Sequence, residues 1–402
     1  MNVLTGLNDL LAVAVVAALT PILVAILPGP RIPQVVVFLI GGVVIGPHVL
    51  GLAETSNIQL LSDVGLGFLF LLAGYELDPH LLRERPGRLA FTGWVMSAVI
   101  SVALTAGLTA AGYIKDYVPV GLALTTTALG TLLPILRDNG MLGGQFGRHV
   151  FAAGAVGELF PILIIAVFLT KRGHFIALAS VVAVGVIAII LSLVPWLAKS
   201  NAVKKVLTEG QDATAQITLR WAVVLLFALL AFAARFGLDV VLGAMLAGIV
   251  LRIWTRRLNL NTESLERKFD AVGYGIFIPI FFIASGMTID LKAISQDPLR
   301  VVVLFLSLLI VRGLPSLLVY RNDLKPRERV EMTFITATSL PLLIALAEIG
   351  EQDGVMLPAT AAALVGAGVL SVLIYPLIAV GLYKNRVKAQ VQPDRLDEAP
   401  AS

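Results

Sequence analysis

From Arg148 to Thr170 the chain reads RHVFAAGAVGELFPILIIAVFLT, an apolar run with a single carboxylate, Glu158, near its midpoint. About 20 helical residues, rising 1.5 Å each, cross the hydrocarbon of a bilayer. A run of this length and apolarity predicts a membrane-spanning helix. Gly157 precedes the carboxylate and Pro161 lies three residues beyond it. An acidic group at that depth costs ~2.5 kcal/mol or more, so such residues face cavities and mark ion or proton routes. The plainer alternative is a glutamate kept protonated or paired between packed helices, and the rest of the chain weighs against it.

Similar runs recur along all 402 residues, of which 58% are hydrophobic and 14% charged. Soluble chains carry about a quarter charged residues, so the expectation is an all-α membrane protein with no soluble domain. There is no cysteine, which excludes disulfides and thiolate metal sites. The four histidines, His48, His80, His149 and His174, lack ligand spacing, and no nucleophile–base set is evident. Neither an enzyme nor a cofactor is expected. The N-terminal MNVLTGLNDLLAVAVV has no basic n-region and reads as a retained span.

Charge-poor runs predict thirteen transmembrane helices, at 8–27, 32–52, 57–76, 89–113, 117–136, 148–170, 175–197, 217–235, 237–254, 270–289, 300–320, 330–349 and 355–383. With the N-terminus outside, 23 Lys and Arg fall on the cytoplasmic side and 6 on the outer side, with Arg312 inside a span. Positive charge accumulates on the cytoplasmic side. The net charge of +4 therefore reports topology and not nucleic-acid binding. A multi-pass plasma-membrane protein with a cytoplasmic C-terminus is expected. The connector 198–216 reads as a cytoplasmic loop or surface helix, and 384–402 as a short cytoplasmic tail.

Two spans look broken. The fifth holds Thr125-Thr126-Thr127-Ala128-Leu129-Gly130-Thr131 and then Pro134; the twelfth holds Thr336-Ala337-Thr338-Ser339-Leu340-Pro341. Clustered hydroxyls with Gly or Pro can open a helix, whose freed carbonyls and half-helix dipoles then coordinate ions. With span seven as a linker, each break falls in the fifth member of a six-span group, and the second group enters from the opposite side. This is the pattern of two inverted six-helix repeats with crossed broken helices.

Glu158 and Arg312 are the charged residues near the middle of their spans. Arg312 stays protonated and needs a partner, for which Glu158 is the candidate, directly or across water. Asp63 lies a third of the way into span 3. Asp239 and Asp270 sit at span entrances, Glu76 and Glu348 at span ends, and Asp138 beside Arg137 reads as a surface pair.

Five segments taken in order, FLIGGVVIGPHVLGL (38–52), FLFLLAGYELDP (68–79), ALTTTALGTLLPILRDNG (123–140), GLDVVLGAMLAGIVL (237–251) and FIPIFFIASGMTIDL (277–291), resemble the monovalent cation:proton antiporter-2 family. The resemblance implies a homodimer with dimer and scaffold helices at 1–76 and 217–289, a linker helix at 175–197, and a moving ion-transport core at 89–170 and 300–383. It places Thr126 and Thr127 on the family's Ser-Thr pair and Glu158 on its ion-binding aspartate. Gly157 falls on the polar residue before that aspartate, and Arg312 on a frequent lysine or arginine. With the reading of the broken spans, the expected site binds a monovalent cation at Glu158 with Thr126, Thr127 and Ser339, flanked by helix breaks at Gly130, Pro134, Gly157 and Pro341. Glutamate for aspartate and glycine for the neighbouring polar residue are departures, so ion selectivity does not carry over. The implied activity is cation/proton antiport by an elevator motion, and one carboxylate beside a permanently charged Arg312 makes 1:1, electroneutral exchange the expectation. Two alternatives stay open: an ion-coupled organic-solute transporter on a similar scaffold, and a non-transporting membrane sensor.

Overall fold

The computed structural model describes residues 3–26, 33–77, 79–168, 174–194, 216–238, 240–258, 261–289, 292, 295 and 297–391. Arg31, Asp239, the connector up to 215 and the tail beyond 391 lie outside the described residues, as does the side chain of Asp138. Every regular element among the described residues is helical. Besides a short helical turn at Pro79–Arg83, the α-helices in chain order are α1 (Val3–Ile26), α2 (Gln34–Ile45), α3 (Thr55–Glu76), α4 (Arg85–Ala110), α5 (Tyr117–Leu124), α6 (Leu129–Asp138), α7 (Gly144–Phe168), α8 (His174–Ser192), α9 (Ile217–Arg235), α10 (Val240–Leu258), α11 (Thr262–Val272), α12 (Ile278–Thr288), α13 (Pro298–Leu308), α14 (Pro315–Val319), α15 (Pro326–Ala337), α16 (Pro341–Gln352) and α17 (Pro358–Val391). Single π-helical turns, Gly273–Phe277 and Leu309–Gly313, join α11 to α12 and α13 to α14.

Ten segments among the described residues are long and apolar enough to cross a membrane, and two shorter apolar ones, Gln34–Ile45 and Tyr117–Leu132, fall at predicted spans two and five. Helix α10 stands apart because Arg252, Arg256 and Arg257 load its last turns. The protein is thus an all-helical, multi-pass membrane protein. The helix of the predicted tenth span, 270–289, begins earlier than predicted, at Thr262, because Asn261 caps α11 by accepting from the Ser264 amide at 3.1 Å.

The chain divides into two compact units, 1–78 with 162–290 and 79–161 with 291–402. In the first, helices meet backbone to backbone where side chains are absent. A Cβ on Gly74 would lie 2.1 Å from the Met245 carbonyl, and one on Gly248 2.1 Å from the Leu71 carbonyl, so α3 and α10 touch reciprocally. Small residues that let backbones approach are how helices associate without a hydrophobic drive inside lipid. The residues α1 leaves exposed, Leu4, Leu7 and Leu11 among them, are the apolar ones a lipid-facing helix presents.

In the second unit the helix ends are tied by charge. Arg85, at the start of α4, donates twice to Asp323 (2.9 and 2.5 Å), and Arg148 near the start of α7 pairs with Glu84. Arg386, near the end of α17, bonds Glu331 (2.9 Å) and Glu328 (2.6 Å) in the first turns of α15. The starts of α5 and α17 meet elsewhere, where Asp116 accepts from the Leu357 amide at 3.1 Å. Inside this frame run the two interrupted helices, α5–α6 and α15–α16. The Pro326–Gln352 stretch is the most buried of the apolar segments, at 83%. Opened backbone is tolerated at membrane depth only where protein covers it.

Candidate functional site

The first interruption spans Thr125–Ala128, between α5 and α6. Its cause is local. The Thr125 and Thr126 hydroxyls bond the Leu122 (2.7 Å) and Ala123 (2.6 Å) carbonyls, three residues back. Those carbonyls would otherwise accept the amides of Thr126 and Thr127 in an α-helix. The Thr127 amide turns instead to the Gly157 carbonyl (3.1 Å), and the Ala128 amide to the Thr338 carbonyl (2.9 Å). The expected breaks at Gly130 and Pro134 are corrected: both lie within α6, and the chain opens before them. Gly157 likewise lies inside the unbroken α7.

The second interruption spans Thr338–Leu340. The Thr338 hydroxyl bonds the Phe334 carbonyl at 3.0 Å, and the Thr338 amide makes a tight bond to Ile335 at 3.2 Å. Leu340 precedes a proline, which disfavours helical geometry there, and its φ is −149°. Pro341 then opens α16, where its missing N–H costs nothing. The two openings touch: the Ala128–Thr338 bond joins their backbones, and the Thr126 and Ser339 hydroxyls lie 2.5 Å apart.

Glu158 reaches the N-terminus of α6. Its Oε1 accepts from the Leu129 amide (2.8 Å) and lies 3.4 Å from the Gly130 amide. Unsatisfied amides and the helix dipole make such an end a natural anion seat. The other oxygen, Oε2, is buried and has no hydrogen-bond partner among the described residues, in a residue only 4% exposed. A buried acceptor left unmade is costly, and a proton or a cation would complete it.

Arg312 sits in the π turn between α13 and α14. Pro315 cannot donate to the Val311 carbonyl, and the wider turn, marked by the Leu314 amide on Leu309 (3.1 Å), absorbs the misfit. Thr336 Oγ1 lies 3.1 Å from the Arg312 carbonyl. The guanidinium donates to Thr127 Oγ1 and to the Ala153 carbonyl, both at 2.8 Å. Of the pairing with Glu158 expected directly or across water, the direct form is not made among the described residues. The two charges are linked through Thr127 and Gly157. A Cβ on Gly157 would lie 2.7 Å from Arg312 Nη2 and 2.7 Å from Thr127 Cβ, so the glycine makes the room the guanidinium occupies.

Thr126, Ser339, Thr127, Arg312, Gly157 and Glu158 thus converge on one crossing inside one unit. Asp63 belongs to the other unit, where it accepts from Gln59 at 2.9 Å on α3. Sequence reasoning missed Ser371 on α17, whose hydroxyl bonds both the amide (3.1 Å) and the carbonyl (2.8 Å) of Ser339. The one available signal was a serine three residues after Gly368 in an otherwise apolar span.

The family model described as "Sodium/hydrogen exchanger, transmembrane" matches residues 13–383. The chain belongs to that family. Among its relatives in the exchanger family, "Putative Na(+)/H(+) antiporter YjbQ" of Bacillus subtilis (strain 168) is 28% identical over 95% of this chain and 64% of its own length. "Probable Na(+)/H(+) antiporter 3" of Methanocaldococcus jannaschii is 23% identical, over 87% of this chain and 90% of the relative. "Glutathione-regulated potassium-efflux system protein KefC" of Escherichia coli O7:K1 is 26% identical over 68% of this chain. The chain spans 64% of the length of the Bacillus subtilis relative and 44% of the efflux protein. These relatives are named as transporters, not as enzymes. The fold resembles that of the sodium proton antiporter MjNhaP1 from Methanocaldococcus jannaschii at pH 8, with a TM-score of 0.65, 17% identity, and 95% and 96% of the two chains covered.

Proposed function

We propose that this exchanger-family chain carries a monovalent cation, Na⁺ or K⁺, across the membrane in exchange for H⁺, at Glu158. The carrying observation is the asymmetry of that carboxylate: Oε1 is seated on the α6 amides, whereas the buried Oε2 has no hydrogen-bond partner among the described residues. A proton and a cation compete for the same oxygen. With a cation bound, the hydroxyls of Thr126 and Ser339 and the carbonyls freed at the two openings supply further oxygens, the donors hard cations prefer. Protonated, Glu158 releases the cation. An unaccompanied charge is too costly to move through hydrocarbon, so the site crosses only when loaded with one or the other.

In this reading the chain has thirteen spans with the N-terminus outside and the C-terminus in the cytoplasm of the plasma membrane. The interrupted helices belong to two inverted repeats. Core helices at 89–170 and 300–383 move like an elevator, and helices at 1–76 and 217–289 form a homodimer scaffold. The oxygens are those suited to a small bare ion, which supports antiport over carriage of an organic solute. The test is dye-reported proton flux in liposomes, driven by Li⁺, Na⁺, K⁺ or Rb⁺. Wild type should exchange at least one of these, and Glu158→Gln none, because an amide cannot bind and release the proton. Wild-type rates in Glu158→Gln would overturn the assignment.

A further inference from the structure

The opening in α15–α16 leaves main-chain groups that no helix satisfies, and one side chain takes both of them at Ser339. Ser371 Oγ accepts from the Ser339 amide (3.1 Å) and lies 2.8 Å from the Ser339 carbonyl; the Gly368 carbonyl, one turn back on α17, is also 2.8 Å away. Ser371 and Ser339 are both fully buried. The approach depends on Gly368, where a Cβ would lie 3.1 Å from the Ser339 carbonyl and 3.0 Å from Leu340 Cδ1. The hydroxyl of Ser339 in turn meets Thr126 at 2.5 Å. A chain of contacts therefore runs from α17 through the backbone of one opening to the hydroxyl pair that joins it to the other.

We propose that Ser371 is a positioning residue for the cation: it clamps Ser339 so that the Ser339 and Thr126 hydroxyls hold the spacing the ion needs. This rests on the antiport reading and adds to it a residue that touches neither the proton nor, by itself, the cation. A serine here is easily taken for a polar residue bonding its own helix, which the Gly368 bond alone would make it. The two bonds to another helix's opened backbone are what an ordinary helical serine does not make.

A shape-matched pair separates the hydroxyl from the packing: Ser371→Thr keeps the donor and acceptor, and Ser371→Val has nearly the same volume without them. Each full-length variant is reconstituted in liposomes beside wild type and Glu158→Gln, and proton flux is measured against cation concentration. Ser371→Val should raise the KM for the cation about tenfold, the scale of one net hydrogen bond, with the maximal rate within about twofold of the Thr variant. Ser371→Thr should stay within about twofold of the wild-type KM. Equal KM values for Thr and Val in folded protein would overturn the proposal. If Ser371→Val does not yield folded protein, Ser371→Ala carries the same comparison against wild type, with an unchanged KM overturning it. The controls separate the two readings. No exchange by wild type, or exchange by Glu158→Gln at the wild-type rate, ends the antiport reading and Ser371's role with it; normal controls with an unchanged KM end only the latter.

Discussion

Arg312 Nε donates to Thr127 Oγ1 at 2.8 Å, and Thr127 Oγ1 donates onward to the Thr336 carbonyl at 2.6 Å. One threonine thus joins the fixed positive charge of the membrane interior to both interrupted helices. Its hydroxyl proton is spent on α15 and one lone pair on the guanidinium. Thr127 is therefore a structural bridge more than a cation ligand, and its loss should be felt first in stability. Thr127→Val removes the hydroxyl at constant shape and leaves a buried charged donor unmet, a cost of ~1.5–3 kcal/mol. Thr127→Ser should restore most of it. Thermal unfolding of the detergent-purified variants, read by size-exclusion recovery, checks this. A valine variant as stable as the serine one would return Thr127 to the role of ligand.

Gly157 is the complementary test, because there the constraint is space. An added Cβ meets Thr127 Cβ and Arg312 Nη2, each at 2.7 Å. The guanidinium can swing away, but Thr127 Cβ is one bond from the backbone and cannot. Gly157→Ala should destabilise by ~1–3 kcal/mol, the usual range for overpacking, although alanine is the better helix former by ~1 kcal/mol. Gly381→Ala in α17, where an added Cβ meets nothing within 4 Å, is the control. It should unfold at or above the wild-type midpoint. Equal midpoints for the two variants would mean that Gly157 is not the space Arg312 needs.

The charged pair of mid-span residues and the two hydroxyl-rich interruptions were legible in the sequence because composition alone makes them costly in a bilayer. The positions of the breaks were not. Gly130 and Pro134 looked like the breakers, yet the Thr125 and Thr126 hydroxyls capture the carbonyls first, so the helix opens one turn earlier. A pattern of residue types does not say which carbonyl a hydroxyl will choose. The partner of Arg312 was equally hidden: attraction between opposite charges pointed to Glu158, whereas the helix terminus of α6 offers that carboxylate two amides. Backbone groups have no letter in a sequence, and here backbone amides hold the acid while a backbone carbonyl helps hold the base. Ser371 was invisible for the same reason, since what it serves is the main chain of Ser339.

The end of this unit where α4, α7 and α15 begin gives a pH-dependent prediction. Asp323, between α14 and α15, is 5% exposed in its side chain and accepts from Arg85, with His149 Nε2 3.3 Å away and Tyr320 edge-on to the imidazole. The Arg85 guanidinium, more than burial opposes, holds the Asp323 carboxyl below its usual range; His149 adds to this. A carboxylate whose value is lowered on folding contributes stability that is complete above its unfolded value, near ~3.9, and is lost as pH falls through the folded one. At neutral pH Asp323→Asn should therefore cost about 1 kcal/mol, a modest figure because Arg85 is largely solvent-exposed. The gap between the thermal midpoints of wild type and Asp323→Asn should close on acidification below that unfolded value. A gap independent of pH would show that shape, and not charge, links these segments.

Charge balance in the exchange cycle gives the strictest test of the proposed mechanism. Arg312 keeps its proton throughout. The cation-loaded site then holds ionised Glu158, Arg312 and one cation, a net single positive charge. The proton-loaded site holds neutral Glu158 and Arg312, which is the same net charge. Gly157 supplies no second carboxylate beside the first, so nothing else at the crossing changes charge between the two legs. Exchange should be one for one and electroneutral. A membrane potential acts with ~2.3 kcal/mol per charge per 100 mV, so an unbalanced cycle would respond to voltage steeply. The pH gradient at which net flux reverses, measured in liposomes with Na⁺ or Li⁺ under an imposed potassium-diffusion potential, should not move with the potential. A systematic shift would require a second titrating group, and Asp63, which lies on α3 with Gln59 as its partner, would be the first residue to neutralise.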